Sequence, residues 1–329
     1  MSEHTTVVVT EAQAGRIDRA LAAAFPQVGR RRLAELFAAG AVRVGGKVAR
    51  KGDRVAAGAV LELATVPAGR ATERPQPDPA AAARLRVLLE RPELVAVDKP
   101  APMPSQPLRA DELGSAASGL AALYPECALL GDDPRDGGVV HRLDIGTTGV
   151  LLAARTAAAY RQLREAFSLG RVAKTYLAIT CGRPVATSCS ASLAQRGRRV
   201  VVDEQEGLSA HTELEVLARG PVPRPGAGSA GDDSATAPLE LCLVRCTTQT
   251  GRMHQVRAHL ATLRAPILGD ALYGAPVLPG LTDLVPEGTF LLHAESVAVT
   301  FAGERLTVRA PLPATAQAVL AAAGVDAGG

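Results

Sequence analysis

The sequence predicts a two-part α+β protein: a small α-then-β module over residues 1–64, a linker over 65–84, and a larger mixed α/β domain over 85–325. Three observations carry this reading. Apolar residues at helical spacing give way to strand alternation and glycine turns within the first 64 residues. Four prolines and Gly69 then interrupt any periodicity between Thr65 and Ala83. From Leu85 onward, short apolar runs of strand length alternate with amphipathic helical stretches.

The module is legible element by element. Ile17, Leu21 and Phe25 mark one helix, and Leu33, Leu36 and Phe37 a second, with Pro26 and Gly29 between them and Gly40 closing the pair. Residues 41–44 alternate as a strand, Gly45-Gly46 turns, and Lys47-Val48 starts the return. Turns at Gly52-Asp53 and Gly58 lead to a last strand over residues 60–63. In the larger domain, strands are expected over residues 94–97, 150–153, 175–179, 239–246, 290–293 and 296–301. Helices are expected over residues 157–167 and 255–263. The stretch 220–238, rich in Gly, Pro, Ala and Ser, reads as an exposed mobile insertion. No solenoid repeat is present.

Charge narrows the function classes. The net charge is only +3, which argues against a supercharged surface. Residues 14–63 nevertheless hold ten Lys/Arg against four Asp/Glu, more than the whole chain's surplus. Arg16, Arg30, Arg31, Arg32, Arg43, Lys47 and Lys51 form a basic face suited to RNA phosphates. A solvated face without a partner is the competing reading of the charge alone. The five cysteines contain no C-x-x-C, as expected of reduced thiols, and His254 and His259 lack zincin spacing. No metal or cofactor is expected. Glu3 stands where a signal peptide would be basic, and no apolar run reaches the roughly 18 residues of a membrane span. The expectation is a cytoplasmic monomer.

The densest polar constellation is Gly138-Val139-Val140-His141-Arg142-Leu143-Asp144-Ile145-Gly146-Thr147-Thr148-Gly149. It reads as an apolar strand, a polar turn bearing one carboxylate, and a second apolar strand, which would hold that acid rigidly at a surface. A lone Asp in such a turn is more often only an Asx-turn residue.

The segment is similar to the active-site motif of the RluA-type RNA pseudouridine synthases. Three further stretches share the resemblance. They are Leu94-Val95-Ala96-Val97-Asp98-Lys99-Pro100-Ala101, Arg171-Val172-Ala173-Lys174-Thr175-Tyr176, and Thr250-Gly251-Arg252-Met253-His254-Gln255-Val256-Arg257 with Ile267-Leu268-Gly269-Asp270 and Tyr273-Gly274. Leu292-His293-Ala294 and Ala310-Pro311-Leu312-Pro313 resemble the closing segments. The basic module, through Gly-Arg-Ile-Asp-Arg-Ala-Leu, Gly-Arg-Arg-Arg-Leu and Ala-Gly-Ala-Val-Arg-Val-Gly-Gly-Lys, resembles the S4 RNA-binding domain, with Gly29 and Gly45 in place of the usual Ser and Asn. Pro102, where Gly is usual, and Thr148, where Ser is commoner, are departures outside the catalytic positions.

The resemblance implies a catalytic domain built on a central, mostly antiparallel sheet. It implies isomerisation of uridines in structured RNA, large-subunit ribosomal RNA first and transfer RNA as the alternative. Asp144 becomes the essential acid, Arg257 the guanidinium that keeps it ionised, Tyr176 the ring that stacks on uracil, and Arg142 the side chain that fills the space of a flipped base. His141 is expected to be structural, and Lys99 and Lys174 to contact phosphate or scaffold. Two readings from other classes compete: a non-catalytic RNA-binding or ribosome-assembly protein, and a glycosidic hydrolase. The hydrolase needs a second acid, for which Asp270 is the nearest candidate, in what reads as a turn.

Overall fold

The computed structural model describes residues 5–25, 28, 30–64, 73–109, 111–223 and 239–326. The chain divides into two compact units, residues 1–74 and 75–329.

In the first unit, strand β1 (Thr5–Val8) precedes β2 (Gly15–Arg16), helices α1 (Ile17–Ala24) and α2 (Arg30–Ala38), and strands β3 (Val42–Val44), β4 (Lys47–Val48), β5 (Arg54–Val55) and β6 (Val60–Leu63). An antiparallel sheet in the order β1-β6-β3-β4 forms one layer, and β2 pairs with β5. The helical positions named from spacing, Ile17, Leu21, Phe25, Leu33 and Phe37, are buried against Val42, Leu61 and Leu63 of the sheet. Gly45 and Gly46 both take positive φ in the β3–β4 turn, a conformation that costs glycine little. β1 was not expected; its alternation leaves it an edge strand, half exposed.

The second unit opens with helix α3 (Pro79–Ala82), then β7 (Arg86–Glu90), β8 (Leu94–Lys99), α4 (Ala116–Leu123), β9 (Thr148–Ala154), α5 (Ala157–Ser168) and β10 (Ala173–Cys181). It continues with β11 (Ser188–Arg196), β12 (Arg199–Val202), β13 (Leu208–Val222), β14 (Leu239–Thr248), α6 (Gln255–Thr262), β15 (Leu292–Phe301), β16 (Glu304–Arg309) and α7 (Ala314–Ala322). One sheet runs β12-β11-β13-β14-β10-β15-β9-β8-β7, with β16 paired to β15. Every pairing is antiparallel except β15 with β9.

Both faces of its middle are covered, so the central strands lack a polar face. On β8, Leu94 and Ala96 pack with α5 residues Ala159, Tyr160 and Leu163, while Val95 and Val97 pack with α4 residues Ala117 and Leu120. Farther along, α6 packs Val256 and Leu260 against Ala178, Val244 and Cys246, and α7 packs Val319 and Leu320 with Ile179, Leu241 and Leu243.

Several expectations change. The linker over 65–84 is shorter. Asp78 accepts from Ala80 N and Ala81 N to cap α3, and Ala81 and Ala82 are buried, so this stretch belongs to the second unit. Residues 65–72 lie outside the described residues. The insertion over 220–238 loses its first part, because β13 continues to Val222 in register with Leu239 of β14; residues 224–238 lie outside the described residues. The expected strands at 290–293 and 296–301 join into β15, with Phe290 ahead of it. Residues 138–140 form no strand: Gly137 and Gly138 are both left-handed, and Val139 makes a single bridge to Ala153.

The parallel pairing of β9 with β15 sets the site, because β9 begins four residues after Asp144. It joins Thr148 to His293 and Gly149 to Ala294. Gly149 has φ +110, and a Cβ there would lie 2.3 Å from Ala294 O. Gly149→Ala should therefore cost at least about 3 kcal/mol, through clash and strain together, and lower the melting temperature by roughly 5–10 °C. Gly197→Ala, at φ +62 in open space, should cost only about 1 kcal/mol. Thermal denaturation of the two variants checks the order.

Candidate active site

Four sequence-distant motifs meet at Asp144. Lys99, at the end of β8, is fully buried and donates to Pro100 O and Met103 O at 3.0 and 2.8 Å. It thereby folds the following loop back on itself. That loop holds the acid's turn: Ser105 Oγ donates to Leu143 O and accepts from Leu143 N, both at 2.9 Å, and Met103 N donates to Ile145 O. Thr147 N closes the turn on Asp144 O. At the exit, Thr148 Oγ1 lies 2.9 Å from His293 Nδ1 of β15. Burial is the largest influence on Lys99 and lowers its pKa to about 7, with the charge of Asp144 opposing.

Arg257, early on α6, is the centre of the site. Its Nη1 donates to Asp144 Oδ2 at 2.9 Å. Its Nε and Nη2 donate to the two oxygens of Asp270 at 2.7 and 2.9 Å, a bidentate fork. The guanidinium lies 4.1 Å from the Phe290 ring centre and 5.0 Å from that of Tyr273. Phe290 reaches it because residue 146 is glycine: a Cβ there would stand 2.7 Å from the ring. The carboxylates differ in access, with the Asp270 side chain 1% exposed and that of Asp144 21%. Asp144 is thus the acid a ligand can reach.

The structure brings Asp144, Tyr176, Arg142 and Arg257 to one pocket of about 60 Å3, with His254 and Gln255. Tyr176 comes from β10, and burial is the chief cause raising its phenol pKa, with the charge of Asp144 acting in the same direction. Arg142 is exposed, and among the described residues no hydrogen bond or ion pair holds its guanidinium. His141 stacks on Phe167 at 4.6 Å, and its Nε2 accepts from Leu152 N at 3.1 Å. Loss of hydration lowers its pKa to about 3, with Lys174 and Arg164 assisting, so a neutral ring anchors the approach to the turn. Lys174 Nζ donates to Gln249 O and Thr250 O, at 3.0 and 2.7 Å, and thereby ties down the loop before α6. Burial lowers its pKa to about 8.

Asp270 is the functional residue that reading the motifs undervalued. It lies beyond α6 and is fixed on the guanidinium rather than idle in a turn. Both its oxygens are committed to Arg257, which leaves it unsuited to the second-acid role a hydrolase would require. The signal was its place in the same motif as Arg257, thirteen residues on.

The basic module's residues are placed less uniformly. Arg43, Lys47 and Lys51 are exposed on the hairpin and the turn after it. Arg16 is exposed and forks onto Asp18, with both contacts at 3.0 Å. The side chains of Arg30, Arg31 and Arg32 lie outside the described residues.

The two carboxylates on Arg257 give an ordered expectation. Asp270→Asn should cost about 3 kcal/mol, because it breaks a buried pair and turns an amide toward the guanidinium. Asp144→Asn, at the rim, should cost about 1 kcal/mol or less. Chemical denaturation midpoints of the two variants check this order.

Comparison with known proteins agrees with the geometry. Residues 93–262 match the family described as RNA pseudouridylate synthase. The chain is 33% identical to the Xanthomonas campestris protein named ribosomal large subunit pseudouridine synthase D, over 97% of this chain and 92% of that one. It is also 33% identical to an uncharacterized RNA pseudouridine synthase of Chloroflexus aurantiacus, over 97% of this chain and 93% of that protein. Among solved structures, human RNA pseudouridylate synthase domain containing 4 matches with a TM-score of 0.54 and 24% identity, covering 75% of this chain and 95% of that one, a likeness of fold. By sequence, by fold and by the meeting of its motifs at one reachable acid, the chain belongs to the RNA pseudouridylate synthase family, whose enzymes isomerise uridine in RNA to pseudouridine.

Proposed function

We propose that this enzyme modifies large-subunit ribosomal RNA, with Asp144 as the catalytic acid. The observation that carries the assignment of the acid is the shared guanidinium. Asp270 holds Arg257 in place through two nitrogens, and the third meets Asp144, the more exposed of the two carboxylates. Breaking the C1′–N1 bond requires an ionised carboxylate at the ribose, whether it attacks C1′ or removes the 2′ proton. The cation offsets the desolvation that would otherwise favour the neutral acid.

The other roles follow from position. The Tyr176 ring stacks on uracil while it is detached and turned to rejoin through C5. The target base must first leave its stack, at a cost of a few kcal/mol, and the free guanidinium of Arg142 fills the space it vacates. A groove of about 480 Å3 continues from the pocket past His141, Arg142, Arg164, Phe167 and Arg252. It offers permanent cations to flanking phosphates and a stacked ring pair beside them. The first unit acts as an S4-like RNA-binding element, with Arg43, Lys47 and Lys51 presented to phosphates. The choice of ribosomal RNA rests on the Xanthomonas and other relatives named for the large subunit.

Two experiments test this reading. Pseudouridine mapping of cellular RNA with and without the gene should show sites lost from large-subunit ribosomal RNA, and restoration with Asp144→Asn should leave them unmodified, with turnover reduced at least about 10³-fold. Losses confined to transfer RNA would overturn the substrate, and full modification by the variant would overturn the acid. Replacing Arg43, Lys47 and Lys51 together by Ala should weaken RNA binding and lower the slope of log K against log salt by about 1 for each phosphate left unneutralised. An unchanged slope would exclude these three residues as phosphate ligands.

A further inference from the structure

The Asp144 pocket contains one titratable ring to which neither the base nor the acid assigns a role. His254 lines it beside Asp144, Tyr176 and Arg257. Its backbone takes the left-handed conformation, φ +52, as the residue immediately before α6. That conformation is uncommon outside glycine and is retained where surrounding structure demands it.

The ring is held on one side only. His254 Nδ1 lies 3.1 Å from the Tyr273 hydroxyl, and the two rings meet edge to face at 5.8 Å. The hydroxyl accepts Val200 N–H at 2.9 Å and has one proton of its own, which either His254 Nδ1 or Val200 O at 3.2 Å can take. Both tautomers of the imidazole are therefore accommodated. On the other side, Nε2 faces Asp144 Oδ2 across 3.9 Å. This is too long for a direct hydrogen bond, yet one oxygen at about 2.8 Å from each atom fits between them.

The reacting sugar supplies such an oxygen. Asp144 must meet either C1′ or the hydrogen on C2′. In attack on C1′ the carboxylate approaches from the face opposite the base, which is the face that carries the 2′-oxygen, so this oxygen arrives beside it. The hydrogen on C2′ lies on the other face, and the inference therefore takes the C1′ role for Asp144. The uracil, by contrast, belongs to the Tyr176 ring. We propose that His254 contacts substrate directly, holding the 2′-hydroxyl of the target ribose between its Nε2 and the Asp144 carboxylate, so that the catalytic pocket itself distinguishes RNA from DNA. The hydroxyl donates to Asp144 Oδ2 and accepts from Nε2–H, while the Tyr273 hydroxyl donates to Nδ1. Every donor then has an acceptor, and the carboxylate is positioned against the sugar from two directions, by Arg257 and by the hydroxyl. The 2′-hydroxyl is the one group that separates the two sugars.

The inference rests on Asp144 as the acid that meets the ribose, and its test separates the two. The substrate is the ribosomal RNA fragment carrying the mapped uridine, prepared with ribose or 2′-deoxyribose at that one nucleotide, and single-turnover rates are measured for the full-length enzyme. His254→Ala should slow the ribose substrate about fivefold or more, as expected for removal of one hydrogen bond, and the penalty for 2′-deoxy substitution should shrink by the same factor relative to wild type. His254→Gln, whose amide can still donate, should restore part of the discrimination. Equal 2′-deoxy penalties in wild type and both variants would assign His254 to packing against Tyr273 and overturn the proposal. Turnover by Asp144→Asn in the same assay would instead remove the assignment of the acid.

Discussion

One guanidinium organises this active site. Arg257 uses all three guanidinium nitrogens: two donate to buried Asp270 and one to Asp144 at the pocket rim. Lysine could not do this, because an ammonium has no planar fork and would choose between the carboxylates. The rings of Phe290 and Tyr273 bound the guanidinium at 4.1 and 5.0 Å, so its orientation is fixed before any ligand arrives. A cation that waits in position costs no reorganisation when charge develops beside it. The rest of the unit reads as support for that arrangement. Gly146 admits Phe290, Gly149 admits β15, and Lys99 folds the loop whose Ser105 holds the acid's turn.

The parts of the fold that were legible are those where burial imposes a pattern. β8, β9, β10 and β14 are covered on both faces, so they appear as apolar runs that only their ends make uncertain. The extension β11–β12–β13 was missed, because strands such as Ser188–Arg196 keep few buried positions and mix polar and small residues. α4 and α7 were missed because their alanine-rich sequences, Ala116–Leu123 and Ala314–Ala322, are apolar nearly all round and show little periodicity. Residues 138–140 looked like a strand because Val139-Val140 is apolar, but the paired left-handed glycines before them turn the backbone out of any ladder.

The site divides along the same line. Asp144, Tyr176 and Arg257 stood out because each lies in a dense motif, and the sheet and α6 bring them to one pocket. Asp270 and His254 did not, although they lie in the same motif as Arg257. A carboxylate that positions a cation and a ring that faces one carboxylate oxygen are defined by distances across the fold, which no spacing along the chain encodes. For Lys99 and Lys174 the sequence left two readings open, phosphate or scaffold. Their ammonium groups are spent on backbone carbonyls, which favours the scaffold, and burial lowers their pKa values to about 7 and 8.

This gives the second unit two zones of charge with different work. Inside, Arg257 faces two carboxylates, so the guanidinium beside Asp144 is already paired. Outside, Arg142, Arg164 and Arg252 line the pocket mouth and groove with cations that cannot lose their charge. Of these three, Arg142 has no hydrogen bond or ion pair among the described residues, whereas Arg164 pairs with Asp132 and donates to Val140 O, and Arg252 donates to Ser209 O. In the proposed reaction the nucleoside meets Asp144 while its flanking phosphates meet the arginines of the groove. A reaction that breaks a glycosidic bond and leaves the backbone intact requires that separation, and in the proposed reading Arg257, spent on two carboxylates, serves the acid while Arg142, unpaired among the described residues, is left for the backbone.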